Sequence, residues 1–141
     1  MWKKSHTKTF KGLKKEKIWK LWSNVDHWHL WDSDIESARL AGSFKKGSFF
    51  TLKPKGFRAV QIQLSEVVKN RSFTDCTKFP GAIMYGCHEM EETKEGLKLT
   101  TTMTVSGFLS FLWIRLVAQG IVDKLPRQMN GLVTAAKKEK K

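Results

Sequence analysis

The chain has 141 residues, 40% of them apolar, with six Trp, nine Phe and one Tyr, and it carries 26 Lys and Arg against 13 Asp and Glu. That length suits a single domain spanning 1–141, and the apolar and aromatic share excludes a disordered chain. A charged fraction of 28% excludes an integral membrane protein, while the net charge of +13 calls for an anionic partner or a strongly solvated basic surface.

In chain order, 5–10 alternates Thr and Phe with polar residues and predicts a strand. Ile18, Leu21, Trp22 and Val25 follow at i, i+3, i+4 and i+7, the spacing of one helix face. A second short helix or turn over 26–32 opens on Asp26, an N-cap residue type. From 35 to 106 the chain breaks into short runs punctuated by Gly42, Gly47, Gly56, Asn70, Pro80, Gly81 and Gly96. This is the rhythm of antiparallel hairpins and predicts strands over 35–40, 48–53, 59–67, 72–79, 84–90 and 98–106. Helical period returns in Phe111, Ile114, Ala118, Ile121, Leu125, Met129, Leu132 and Ala136, a stripe that predicts one long C-terminal helix packed on the sheet. Pro126 lies inside it and predicts a kink. Leu112, Trp113 and Leu116 fall off the stripe, so the first turns are apolar nearly all round and require a second covering, by loops or by a ligand.

The order is thus one strand, two short helices, six strands and a long helix. A curved antiparallel sheet of seven strands wrapped round one helix leaves a gap between them unless large side chains fill it, and such a gap is where a small-molecule site belongs.

The basic excess is chiefly lysine, with arginine only at 39, 58, 71, 115 and 127. Eight lysines precede residue 22 against Glu16 alone, and the tail 137–141 is Lys-rich. Bidentate recognition of guanine or phosphate favours Arg, so specific nucleic-acid binding is not expected; solvation, with weak contact to an anionic membrane surface, is. Cys76 and Cys87 lack a Cys-x-x-Cys set, and no apolar run of signal-peptide type opens the chain, which predicts free thiols and a cytoplasmic protein. His27 and His29 stand at i, i+2 on a short helix and point apart, so no metal site is expected, and no phosphate loop or nucleophile elbow predicts a cofactor.

The segments Lys17-Ile18-Trp19-Lys20-Leu21-Trp22-Ser23-Asn24-Val25 and Trp28-His29-Leu30-Trp31-Asp32, then Leu52-Lys53-Pro54-Lys55-Gly56, Glu66-Val67-Val68 before Arg71-Ser72-Phe73-Thr74-Asp75, and His88-Glu89-Met90-Glu91 before Gly96, resemble the polyketide cyclase/dehydrase and lipid-transport family over roughly 5–136. The resemblance implies an α+β helix-grip, or START-like, fold. It implies a ligand cavity too, but no particular reaction, because the superfamily carries hydrophobic ligands, cyclises polyketides, binds hormones or assists chaperones without a shared catalytic motif.

Strand alternation assigns faces. With Glu89 in water, Met84, Gly86, His88 and Met90 turn inward; with Phe73 and Phe79 inward, Asp75 and Thr77 go with them. A loop over 80–83 would set Asp75 opposite His88 and Cys76 opposite Cys87, whereas a two-residue loop would leave Asp75 diagonal to His88. Either register makes the acid and the imidazole neighbours. They are candidate acid/base residues or polar anchors for a ligand, or else a buried pair that only satisfies itself. Candidate lining residues are Trp31, Phe50, Leu52, Ile62, Phe73, Asp75, Met84, His88, Met90, Met103, Leu112 and Leu116, of which the methionines suit an adaptable wall.

Three readings follow. The first is a carrier, monomer or dimer, for a hydrophobic or amphipathic small molecule, lipid or polyketide-like. The second is a cyclase/dehydratase-type enzyme using Asp75 and His88. The third is a module that meets anionic membrane through its lysines.

Overall fold

The structure, a computed structural model, describes residues 1–138. Strand β1 (Trp2–Phe10) is followed by helix α1 (Lys15–Ser23), a 3₁₀ segment (Val25–Leu30), and strands β2 (Ile35–Leu40), β3 (Phe49–Pro54), β4 (Val60–Val68), β5 (Ser72–Phe79), β6 (Ala82–Thr93) and β7 (Gly96–Ser106). The chain ends in α2 (Ser110–Trp113), one π turn (Ile114–Ala118) and α3 (Gln119–Lys138). The seven strands form one antiparallel sheet in the order β1-β7-β6-β5-β4-β3-β2. Of the Lys-rich tail, 139–141 lies outside the described residues.

Most strand boundaries shift by one to three residues from the periodicity reading. β1 starts at Trp2, because its ladder with β7 continues past Ser5 through Lys4–Met103 and Lys3–Thr104 to Trp2–Val105. β6 runs from Ala82, since the β5–β6 turn is Pro80-Gly81 alone and Phe79 pairs with Ala82. Val25 opens the 3₁₀ segment instead of closing α1. α3 continues through Pro126, and the departure from α geometry falls two turns earlier, in the π turn.

The sheet curves because two strands carry irregular registers, between Ile35 and Ser37 in β2 and between Leu64 and Glu66 in β4. Each inserted residue bends its strand and increases the local twist. One core lies under the α1 end, where Ile18, Trp22, Trp28, Phe50, Leu64 and Phe73 are buried with Met129, Leu132 and Val133 of α3. A second, made of Ala82, Met84, Met103, Val105, Ala118 and Leu125, lies at the other end. α3 approaches the 3₁₀ segment closely at Gly131, where a Cβ would stand 2.4 Å from the Trp31 carbonyl oxygen. Polar contacts fix the same crossing: Gln128 Nε2 donates to Asp32 Oδ2 at 2.9 Å, and Arg127 holds both oxygens of Asp34 at 2.6 and 2.8 Å.

Candidate functional site

Between the two cores the concave face and α3 do not close on each other, and they enclose a cavity of about 570 Å³. Its aromatic end is built by Trp22, Trp28, Trp31, Phe50 and Phe73. α1, the 3₁₀ segment and its C-cap residue supply one tryptophan each, and Trp28 Nε1 donates to the Trp22 carbonyl at 3.0 Å. The sheet wall is Leu52, Val60, Ile62, Met84, Leu99 and Met103, and the helix wall is Val117, Ile121, Leu125, Met129 and Leu132. Asp34, Lys55, Phe57, Arg58, Lys124 and Gln128 also border the cavity, on the β3–β4 connection, the loop before β2 and α3.

On the sheet wall four polar side chains interrupt the apolar lining, Asp75, Thr77, His88 and Thr101, and Asp32 joins Gln128 at the helix side. Pairing sets Phe73 opposite His88 and Asp75 opposite Gly86, so Asp75 and His88 are diagonal. They still meet, with His88 Nε2 3.1 Å from Asp75 Oδ2. Gly86 makes this contact possible, since a Cβ there would stand 2.9 Å from Asp75 Oδ1 and 3.2 Å from Met103 Sδ. The carboxylate accepts from Nε2–H, and Nδ1 lies 3.4 Å from the Thr101 hydroxyl. Phe73 stacks on the imidazole with centroids 4.4 Å apart. Acid and imidazole each keep 16% side-chain exposure, which leaves both reachable from the cavity. The Thr77 hydroxyl is buried and has no hydrogen-bond partner among the described residues.

Of the residues singled out from sequence, Trp31, Phe50, Leu52, Ile62, Phe73, Asp75, Met84, His88 and Met103 border the cavity. Met90 does not: it points inward as alternation requires, but it is consumed in the core beneath the α1 end. Leu112 and Leu116 stand exposed on the far side of the helical run instead of closing the cavity. Sequence reasoning passed over Lys55, Phe57, Arg58 and Lys124. The Pro54-Lys55-Gly56-Phe57-Arg58 turn could have flagged the first three as cations beside an unmatched aromatic, whereas nothing in the sequence marks Lys124. The register puts Cys76 opposite Tyr85 and Cys87 opposite Thr74, so the two free thiols are not partners, and burial pushes the Cys87 thiol up from its usual pKa. Arg127's hydrogen bonds hold the Asp34 carboxyl below its ordinary range against a smaller desolvation effect, with Lys124 adding to the depression.

Sheet, gripping helix and the cavity between them define the helix-grip, START-like class of fold. No family model matches the chain, and no curated protein matches it significantly. Among solved structures it is similar to a hypothetical protein of Helicobacter pylori, at 16% identity and a TM-score of 0.76 over 96% of this chain and 88% of that one. It is similar to the ginseng (Panax ginseng) major latex-like protein 151, at 12% identity and a TM-score of 0.74 over 96% and 97% of the two chains. The di-domain ARO/CYC StfQ from the steffimycin biosynthetic pathway gives 11% identity and a TM-score of 0.77 over 96% of this chain and 50% of its own. At such identities the likeness is one of fold. Among the described residues no helix is long and apolar enough to cross a membrane.

Proposed function

We propose that this protein binds and carries a hydrophobic or amphipathic small molecule, lipid or polyketide-like, in the cavity between sheet and α3. The observation that carries the reading is the cavity itself: about 570 Å³ walled largely by aromatic and aliphatic side chains, with the hydrogen-bonded pair Asp75 and His88 set into its sheet wall. Ligand sites have this composition and span roughly 300–1,000 Å³. Apolar contact supplies affinity, and a few fixed polar groups supply orientation. Trp31, Phe50, Leu52, Ile62, Phe73, Met84 and Met103 form the apolar grip, and His88 held by Asp75 anchors a carbonyl, hydroxyl or carboxylate. Native mass spectrometry of the purified chain, with a panel of fatty acids, sterols and polyphenols, tests it. One molecule bound per chain is expected; a chain that is empty and takes none of the panel overturns the reading.

The hydrogen-bonded series Asp75, His88, Thr101 favours a second reading, a cyclase or dehydratase. In that chemistry Asp75 orients the imidazole, and His88 moves a proton to or from the substrate. StfQ, similar in fold, is an ARO/CYC. Turnover of a linear poly-β-ketone, abolished by His88→Ala, would select it over simple carriage.

A further inference from the structure

We propose that the end of the molecule carrying the β3–β4 turn and the start of the C-terminal helical run docks on an anionic lipid bilayer, with Phe57, Phe108, Phe111 and Leu116 entering the boundary between headgroups and acyl chains. These side chains are 66%, 82%, 68% and 58% exposed, and Leu112 beside them is 37% exposed. Solitary exposed apolar residues are ordinary, but a group of this size in one region marks a contact surface. Antiparallel pairing brings the segments to one end of the sheet: Trp2 pairs with Val105, Ile83 with Ser106, Phe79 with Ala82 and Leu52 with Val60.

The loop is held in this posture. Leu109 N donates to the Gly81 carbonyl at 2.9 Å, Trp113 Nε1 donates to the Pro80 carbonyl at 2.8 Å, and Trp113 stacks on Phe79 at 4.4 Å. Leu109 and Trp113 therefore face the protein while Phe108, Phe111 and Leu116 face water. The rim is cationic: Lys3, Lys4, Arg58, Lys78 and Arg115 are exposed and make no ion pair among the described residues. Residues 2–4, 55–59, 78–83 and 106–122, at this end, contain no Asp or Glu, and Glu36, at the same end on β2, is paired with Lys53 at 2.8 Å. Asp34, which borders the cavity, is bonded to Arg127.

An apolar centre in a ring of cations complements an anionic bilayer, where buried apolar area and lipid charge add. A second copy of the chain is the poorer occupant, because it would press two such rings together. Phe57 and Arg58 belong both to this face and to the cavity border, so the docked face opens the cavity toward the lipid.

Flotation of the full chain with phosphatidylcholine vesicles, with and without phosphatidylserine, tests the proposal. Binding is expected only with the anionic lipid and is expected to fall steeply with salt. The triple variant Phe108→Ser, Phe111→Ser, Leu116→Ser should bind about tenfold or more weakly, since it keeps the charge and loses the inserted area. Hydrogen exchange on the unmodified chain should show vesicle-dependent protection over 55–58 and 107–117. Equal binding by the triple variant, no protection there, or a dimer by sedimentation that the triple variant abolishes while vesicles stay unbound, would each overturn it. A chain that docks yet holds no small molecule leaves docking standing and removes the carrier reading; one that holds a ligand without docking does the reverse.

Discussion

Asp75 and His88 touch across a diagonal of the β5–β6 ladder, 3.1 Å apart, because the residue directly opposite Asp75 is Gly86 and has no side chain to fill the space between them. A glycine inside a strand weakens the ladder and is kept where another group needs its room. Here that group is the Asp75 carboxylate. The pair is therefore a property of three residues.

Gly86→Ala should displace the carboxylate, since the new Cβ would lie 2.9 Å from Oδ1. The measurement is the structure of Gly86→Ala, in which the 3.1 Å contact between His88 Nε2 and Asp75 Oδ2 should be lost while the fold persists. An unchanged contact would show that the pair does not depend on the glycine.

His88→Ala should weaken binding of an oxygenated ligand by about 0.5–1.5 kcal/mol, the usual net contribution of a hydrogen bond, and weaken a purely hydrocarbon ligand less. Calorimetric titration with a matched pair of ligands separates the two. Equal losses would mean that His88 acts through packing on Phe73.

Thr77→Val replaces a buried hydroxyl that lacks a partner among the described residues with a methyl group of similar shape. Unfolding in urea should show a gain of about 1 kcal/mol or more, the desolvation cost of the unpaired hydroxyl. A loss would mean that an ordered water serves that oxygen.

Two glycines of α3 should respond in opposite senses. Gly120 has open space at its Cβ position, so Gly120→Ala should stabilise by about 0.8–1 kcal/mol through helix propensity. Gly131→Ala meets the Trp31 carbonyl oxygen at 2.4 Å and must push the helix off the 3₁₀ segment, lowering the melting temperature. Thermal denaturation of the two variants reads both signs.

Asp34 provides a pH test. Its folded-state pKa lies below the ordinary range of an aspartate, chiefly through Arg127's hydrogen bond, so its contribution to stability is present above about pH 4 and is lost as pH falls through the folded value. Asp34→Asn should therefore be less stable than the parent at pH 6, and the difference should vanish near pH 2. A difference that persists in acid would assign the effect to packing.

Residue periods were enough for the order of elements and for which side chains share a face, because a strand repeats every two residues and a helix every 3.6 whatever surrounds them. They set Asp75, Thr77, Met84, His88 and Met103 on one concave surface. They left open the register that decides who meets whom. Pro80 fixes a negative φ, which the usual two-residue hairpin turns forbid at that position, while Gly81, at φ +76°, supplies the positive value of a type II turn. The short loop and the diagonal pair follow from that compromise, which only the paired strands reveal.

Tertiary structure also decided which apolar residues are core, cavity wall or surface. Met90 and Met103 have the same strand spacing, yet one is packed under the aromatic rings and the other borders empty space. Leu116 and Leu125 belong to one helical run, yet only Leu125 has the sheet above it. A sequence states that a side chain avoids water; burial depends on whether another element covers it, and that is a property of the whole fold.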